Sequence, residues 1–346
     1  MAVNSIITSI EDLPSALADS LSAEERALIQ KLKASPFPFA VTPHFASLAA
    51  PNRDDPIRRQ FIPDPLEETH DPFALDDPLG EEHYRITSRL VHQYSDRVLL
   101  LAGGTCAGFC RYCFRRARMN ESFISSAELE PVLAYLESCP AIREILISGG
   151  DPLSADDGRL EELFGKLRNA RPDMLIRLCS RVPVTDPKRL SPQSIDLFRR
   201  YKPLRLVTHI NHASELSPDA RTALASIVEA GIPVHVQTVL LRGINDSAET
   251  LAQLFRECLN LGISPYYLFQ LDLAPGTAHF RVPLRKSLAI YRELERCLSG
   301  LALPTYAVDL PGGGGKIRLS EDVIAGEDNG VLLLKGHDGK LWKYPA

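Results

Sequence analysis

Thr105-Cys106-Ala107-Gly108-Phe109-Cys110-Arg111-Tyr112-Cys113-Phe114-Arg115-Arg116 places three of the chain's seven cysteines within eight residues, at the spacing C-x3-C-x2-C. Three thiolates so close together can hold three corners of a cubane iron–sulfur cluster and leave one iron open to another ligand. The competing readings are chance crowding and a zinc knuckle, which normally closes with a fourth Cys or His at short spacing. The next cysteine, Cys139, stands 26 residues beyond Cys113. The spacing therefore favours a cluster with an open iron. An odd number of cysteines in a long chain does not read as a disulfide framework, and a reducing cytoplasm is the expected compartment.

C-x3-C-x2-C with an aromatic residue before the last cysteine resembles the signature of radical S-adenosylmethionine enzymes. Outward from it, short β-branched or Leu-rich runs alternate with amphipathic helical patterns. Strands are expected at 97–102, 144–147, 175–179, 204–209, 234–240 and 265–271. Helix starts are marked by Ser125 with Glu128, Ser191-Pro192, Ser217-Pro218 and Ser247, and a last long helix covers 284–298. Six strand–helix units in alternation predict an α/β fold with a parallel sheet, a barrel or partial barrel, and the resemblance implies a partial (β/α)6 barrel of the radical S-adenosylmethionine type. Working residues of such barrels lie where strands end. Here those positions hold the cysteines, Ser148-Gly149-Gly150-Asp151, Ser180-Arg181, His209 with Asn211, and Asp272.

Residues 1–92 are Pro- and Asp-rich and read as a helical and irregular extension, with one helix opening on the capping box Ser22 and Glu25. Residues 93–300 form the expected barrel core, and 301–346 a C-terminal segment with a hairpin at 331–344 turning near Asp338-Gly339. A net charge of −5 argues against a nucleic-acid partner, and no run approaches the ~20 apolar residues of a membrane span. Glu11 and Asp12 without a preceding basic region argue against a secretory signal. The local basic run Arg111, Arg115, Arg116 and Arg118 is placed to meet anionic ligands.

Two glycine motifs carry chemistry. Ser148-Gly149-Gly150-Asp151-Pro152 is a sharp turn whose glycines let a ligand approach the backbone. Pro311-Gly312-Gly313-Gly314-Gly315-Lys316 fails as a phosphate-binding P-loop, because Leu310 and Ile317 stand where Gly and Ser or Thr are required. It still offers a flexible backbone of N–H donors and a lysine able to form a Schiff base with pyridoxal phosphate.

Together these motifs resemble the lysine 2,3-aminomutase family, over about residues 96–316. The resemblance implies that Cys106, Cys110 and Cys113 ligate a [4Fe-4S] cluster, and that Ser148, Gly149, Gly150 and Asp151 contact S-adenosyl-L-methionine. It implies that Lys316 carries pyridoxal 5'-phosphate, with Tyr94 and Arg97 contacting the cofactor, and that Arg115 holds the substrate carboxylate. Asp272 and Asp309 match two aspartates that bind the substrate ε-ammonium. A buried ammonium needs such a clamp, and retention of both carboxylates favours lysine over glutamate. On position alone, Ser180, Arg181, His209 and Gln237 join the S-adenosylmethionine site. The implied activity is the radical 1,2-migration that makes β-lysine from L-lysine, with an electron donor for the cluster and a homo-oligomeric assembly.

The chain departs from clostridial members in having no cysteine after Cys297 and in carrying Ser247 and Tyr112 where they have Cys and His. No zinc is expected, and Cys139, Cys179, Cys258 and Cys297 are expected to be buried apolar residues. Alternatives are the same chemistry serving elongation factor P modification, a glutamate 2,3-aminomutase, a radical activase of a protein partner, and a non-catalytic iron–sulfur protein.

Overall fold

The computed structural model describes residues 6–116 and 121–346, so Arg118 of the basic run lies outside the described residues. The N-terminal segment contains three helices, α1 (Ser15–Asp19), α2 (Ala23–Leu32) and α3 (Pro43–Ser47). Their apolar faces make a core of their own from Leu17, Ile29, Phe39, Phe45, Ile57 and Phe61. The expected capping box closes the start of α2: Glu25 N donates to Ser22 Oγ, and Ser22 N to Glu25 Oε2 at 2.8 Å.

Ten strands then form one sheet in chain order, β1 (Arg85–Thr87), β2 (Leu90–Tyr94), β3 (Arg97–Gly103), β4 (Glu144–Gly149), β5 (Leu175–Cys179), β6 (Leu204–His209), β7 (Val234–Val239), β8 (Ser264–Phe269), β9 (Thr305–Leu310) and β10 (Gly315–Arg318). The run from β3 to β9 is parallel, and β1, β2 and β10 pair antiparallel at its two ends. The crossovers are built on α4 (Ser126–Ser138), α5 (Asp157–Ala170), the short α6 (Val182–Thr185) with α7 (Pro192–Arg200), α8 (Pro218–Glu229), α9 (Ala248–Asn260) and α10 (Leu284–Cys297). The six expected strand–helix units are all present, and β9 adds a seventh parallel strand. Antiparallel β11 (Ile324–Asp328), β12 (Val331–Lys335) and β13 (Leu341–Pro345) follow as a separate sheet, the last two forming the expected hairpin.

Periodicity explains the layers. In α5, Leu160, Leu163, Phe164 and Leu167 lie at i, i+3, i+4, i+7 and are buried against the sheet. Each such side chain contributes about 1.5–3 kcal/mol on burial. Alternate strand residues, such as Ile176 and Leu178 in β5 and Val234 and Val236 in β7, join the same core, while Arg177, Cys179, His235 and Gln237 face the other way and are partly accessible. That inner face is polar: Arg177 pairs with Glu144, and Arg205 lies 3.0 Å from His235.

The sheet is strongly curved. Its strands follow one another linearly, yet Lys316 N in β10 donates to Tyr94 Oη in β2 at 2.9 Å, and Gln93 Nε2 donates to Gly313 O at 3.3 Å. Opposite ends of a ten-stranded sheet touch only if it curls into a nearly closed barrel. Among the described residues no helix is long and apolar enough to cross a membrane. The expectation that the four remaining cysteines are buried holds for Cys258 alone: Cys139 and Cys179 are partly accessible, and Cys297, at the exposed end of α10, is exposed.

Candidate active site

The cysteine loop leaves the end of β3 and is roofed by the N-terminal segment. Phe109 N donates to Ala40 O at 2.9 Å, Arg111 N donates to Gln60 O at 2.8 Å, and the Phe37 and Phe109 rings stack at 5.3 Å. On the other side the loop after β4 presses against it. A Cβ on Gly150 would stand 2.3 Å from Thr105 O, and one on Gly149, whose φ is +121°, 2.3 Å from Gly103 O. Asp151 N donates to Thr105 O at 2.8 Å. Glycine at these two positions lets the turn seat directly on the neighbouring strand end, because chain meets chain closer than any side chain permits. Asp151 is buried, and its carboxylate accepts from Leu153 N at 3.0 Å and Arg181 N at 2.7 Å. Burial raises its pKa against the pull of those hydrogen bonds.

Cys106, Cys110 and Cys113 are partly buried in this loop. Burial pushes the Cys113 thiol up to about 11, helped by Cys110 and opposed by Arg115 and Arg116. Arg181 Nη1 donates to Cys110 Sγ at 2.8 Å, which suits a sulfur bearing negative charge. Among the described residues no three Cys, His, Asp or Glu side chains gather as a single metal ion would require. Three thiols on one loop with a guanidinium on one of them fit a multi-iron cluster, in which each sulfur addresses a different iron.

Arg181 belongs to a buried network that the sequence did not disclose. It pairs with Glu215 at 2.9 Å and donates to Gln60 Oε1, while Gln60 Nε2 donates to Glu215 Oε1 at 3.0 Å and Asn211 Nδ2 to Gln60 Oε1 at 3.1 Å. Glu215 also closes the capping box that starts at His212. Gln60 ends a single 3-10 turn, Arg58–Gln60, that no sequence signal marks. His209, also placed here by position, is held neutral: burial lowers its pKa to about 4, reinforced by Arg181 and opposed by its hydrogen bond with Gln237.

The basic run is neutralised from within. Arg111 and Arg116 both pair with Glu67, at 2.5 and 2.9 Å, and both stack on Phe37 at 4.4 Å. Arg115 pairs with Glu81, and its Nη1 donates to Ser148 Oγ at 3.3 Å. Carboxylates of the N-terminal segment thus lie on all three described arginines of the run.

At the other end of the sheet, cross-strand register sets Lys316 of β10 directly opposite Asp309 of β9, and Lys316 Nζ reaches Asp309 Oδ2 at 2.6 Å. The ammonium also lies 3.9 Å above the Phe269 ring and 5.2 Å from Tyr267. Tyr94 accepts from Lys316 N, and the Arg97 guanidinium covers the Tyr94 ring at 3.9 Å. An amine beside aromatic rings and a carboxylate suits a flat, anionic, carbonyl-bearing cofactor. The glycine run is a packed turn, unlike the flexible loop expected: Gly312 N donates to Pro78 O at 2.9 Å, and a Cβ on Gly314 would lie 2.7 Å from Trp342.

Asp272 follows β8 on a loop braced by Tyr344, whose hydroxyl donates to Leu271 O at 2.8 Å. Burial first, then the neighbouring Asp309, raises its carboxyl to about 7 against the pull of Lys316 and Arg115. Asp272, Asp309, Lys316, Arg115 and Glu81 therefore lie within electrostatic reach of one another.

A curved parallel sheet with a three-cysteine loop at the end of its first parallel strand defines a radical S-adenosylmethionine protein, and residues 100–255 match the model of the Radical SAM superfamily. Within that class the chain is 44% identical over 315 residues to a putative L-lysine 2,3-aminomutase of Treponema pallidum (strain Nichols), covering 88% of this chain and 89% of that one. It is 35% identical over 324 residues to an L-lysine 2,3-aminomutase of Clostridium subterminale, covering 93% and 77%. A glutamate 2,3-aminomutase of Clostridioides difficile (strain 630) is 31% identical over 340 residues, covering 97% and 80%. The chain belongs to the lysine 2,3-aminomutase family, whose members are isomerases.

Proposed function

We propose that the protein is a lysine 2,3-aminomutase that converts L-lysine to β-lysine in the reducing cytoplasm, with an external electron donor and as a homo-oligomer. The observation that carries this reading is that Lys316 reaches Asp309 and that Asp272 lies within electrostatic reach of Asp309, Lys316 and Arg115. The cluster and S-adenosylmethionine supply the radical, and pyridoxal phosphate supplies the electron sink. Cys106, Cys110 and Cys113 hold the cluster, and the backbone of Ser148, Gly149 and Gly150, shaped by Asp151, lines the S-adenosylmethionine site. Lys316 holds pyridoxal phosphate, with Tyr94 and Arg97 against it.

Arg115 orients the substrate through its carboxylate and the two aspartates hold its ε-ammonium, fixing the reacting carbon between them. A second substrate carboxylate in place of that ammonium would face Asp272 and Asp309 without compensation, which disfavours glutamate. The test is an anaerobic assay with reconstituted cluster, S-adenosylmethionine, pyridoxal phosphate and either lysine or glutamate. Lysine turnover with little glutamate turnover is expected, and Asp309→Asn should lower lysine turnover by two orders of magnitude or more while pyridoxal loading, read by absorbance, changes far less. Preferential glutamate turnover, or equal loss of both properties in the variant, refutes the assignment.

A further inference from the structure

Glu81 lies on a short 3-10 helix, Glu81–Tyr84, outside the barrel proper and far from any motif. Three contacts fix this helix against the glycine turn that precedes Lys316. Gly80, with φ +63°, leaves its Cβ position within 2.5 Å of Gly313 N, so the two backbones are in direct contact. Pro78 O accepts from Gly312 N at 2.9 Å, and Tyr84 Oη donates to Gly313 O at 2.8 Å. The helix start is itself pinned, because both oxygens of Asp77 accept from it, Oδ1 from Glu81 N and Oδ2 from Glu82 N, each at 3.0 Å.

From this platform the Glu81 carboxylate reaches Arg115 on the cysteine loop, and both side chains are largely buried, at 13% and 15% exposure. Ser148 takes the Nη1 side of the same guanidinium. Among the described residues, Arg115 Nε is buried with no hydrogen-bond partner. The guanidinium is held on two of its nitrogens and leaves a third donor unpaired, and a buried orphan donor is costly unless a ligand completes it.

We propose that Glu81 is a positioning residue for substrate recognition: it holds Arg115 so that the remaining N–H groups of the fork receive the α-carboxylate of the amino acid, at a distance from Lys316 set by the 77–84 platform. One residue range thereby spaces the two groups that grip the reacting end of the substrate. This rests on the assignment of Arg115 to the substrate carboxylate given above. A guanidinium pinned by a carboxylate is preorganised, and binding then costs less ordering of a long side chain.

The experiment compares lysine with lysinamide, which keeps both amines and lacks the carboxylate, by anaerobic calorimetric titration of pyridoxal-loaded protein without S-adenosylmethionine. In Glu81→Gln, lysine affinity is expected to fall tenfold or more and lysinamide affinity less than twofold, with partial recovery in Glu81→Asp; the melting temperature falls by several degrees, as for other buried pairs deprived of one partner, and that loss alone would weaken both ligands alike. Arg115→Met is the control, and Glu81→Gln should add nothing to it. Equal weakening of both ligands, or tighter lysine binding because Glu81 competes for Arg115, overturns the proposal. If Arg115→Met itself spares the preference for lysine over lysinamide, the Arg115 assignment fails instead.

Discussion

Asp272 is biased toward keeping a proton that the binding of an ammonium does not want. Its carboxyl sits at about 7 because it is buried beside Asp309, yet only the ionised form attracts an ammonium. Lysine affinity should therefore fall by about tenfold per pH unit below 7 and level off above it, and Asp272→Asn should flatten this dependence; titration calorimetry from pH 5.5 to 8.5 reads both. Stability moves the opposite way. Between about 4, where the unfolded carboxyl titrates, and 7, the folded protein holds a proton that the unfolded chain has lost, so stability falls as pH rises through that window. The melting temperature of the wild type relative to Asp272→Asn should decline from pH 5 to pH 8, and added lysine should restore it.

Residues of this kind differ in how openly the sequence shows them. The three cysteines announce themselves because ligation needs them close along the chain. Asp272, Asp309, Arg115 and Lys316 were legible by resemblance to a family pattern. Glu81, Gln60 and Glu215 were not, since a lone carboxylate or amide in irregular chain has no periodicity, and its partner is chosen by folding. Glu81 meets Arg115 across 34 residues and Gln60 meets Glu215 across 155.

The 3-10 turn Pro65–Glu68 shows how a short element can govern the cysteine loop. Glu67 is 7% exposed at its side chain and serves both Arg111, at 1%, and Arg116, at 13%. Removing one partner of a buried pair leaves uncompensated charge and costs about 3–5 kcal/mol. Glu67→Gln should lower the melting temperature by several degrees and speed amide exchange at Phe109 and Arg111, whose N–H groups bond to the N-terminal segment. The turn after β4 is equally exacting. Gly150→Ala forces a methyl against Thr105 O, and overpacking of about 1–3 kcal/mol should appear as a lowered melting temperature with reduced iron content after anaerobic reconstitution.

Elements were readable where local chemistry sets them. Ser125 with Glu128 closes the start of α4 as a full capping box, and β5 and β6 span the expected residues. The start of α5 is capped by Asp156, whose signal is hidden by the preceding Gly-Gly-Asp-Pro turn. β9 has no clear strand signal in the sequence, because Tyr306, Ala307 and Val308 are consecutively buried without the alternation that marks a half-buried strand.

Across the barrel, the meeting of β2 with β10 joins Tyr94 to Lys316 over 222 residues. A contact of that separation must overcome a large loop-closure entropy, and the parallel strands between offer no hairpin to shorten the search. Order of assembly follows from this. Pulse-labelled hydrogen exchange during refolding should find amides of β4 to β6 protected before that of Lys316, and simultaneous protection would refute the sequence of events. The cysteine loop, anchored at β3, then takes shape in a molecule whose lysine is still unplaced, so maturation has a built-in polarity: the iron-binding end can be finished first, and the joining of the sheet's two rims is the moment at which a radical source acquires something to act upon.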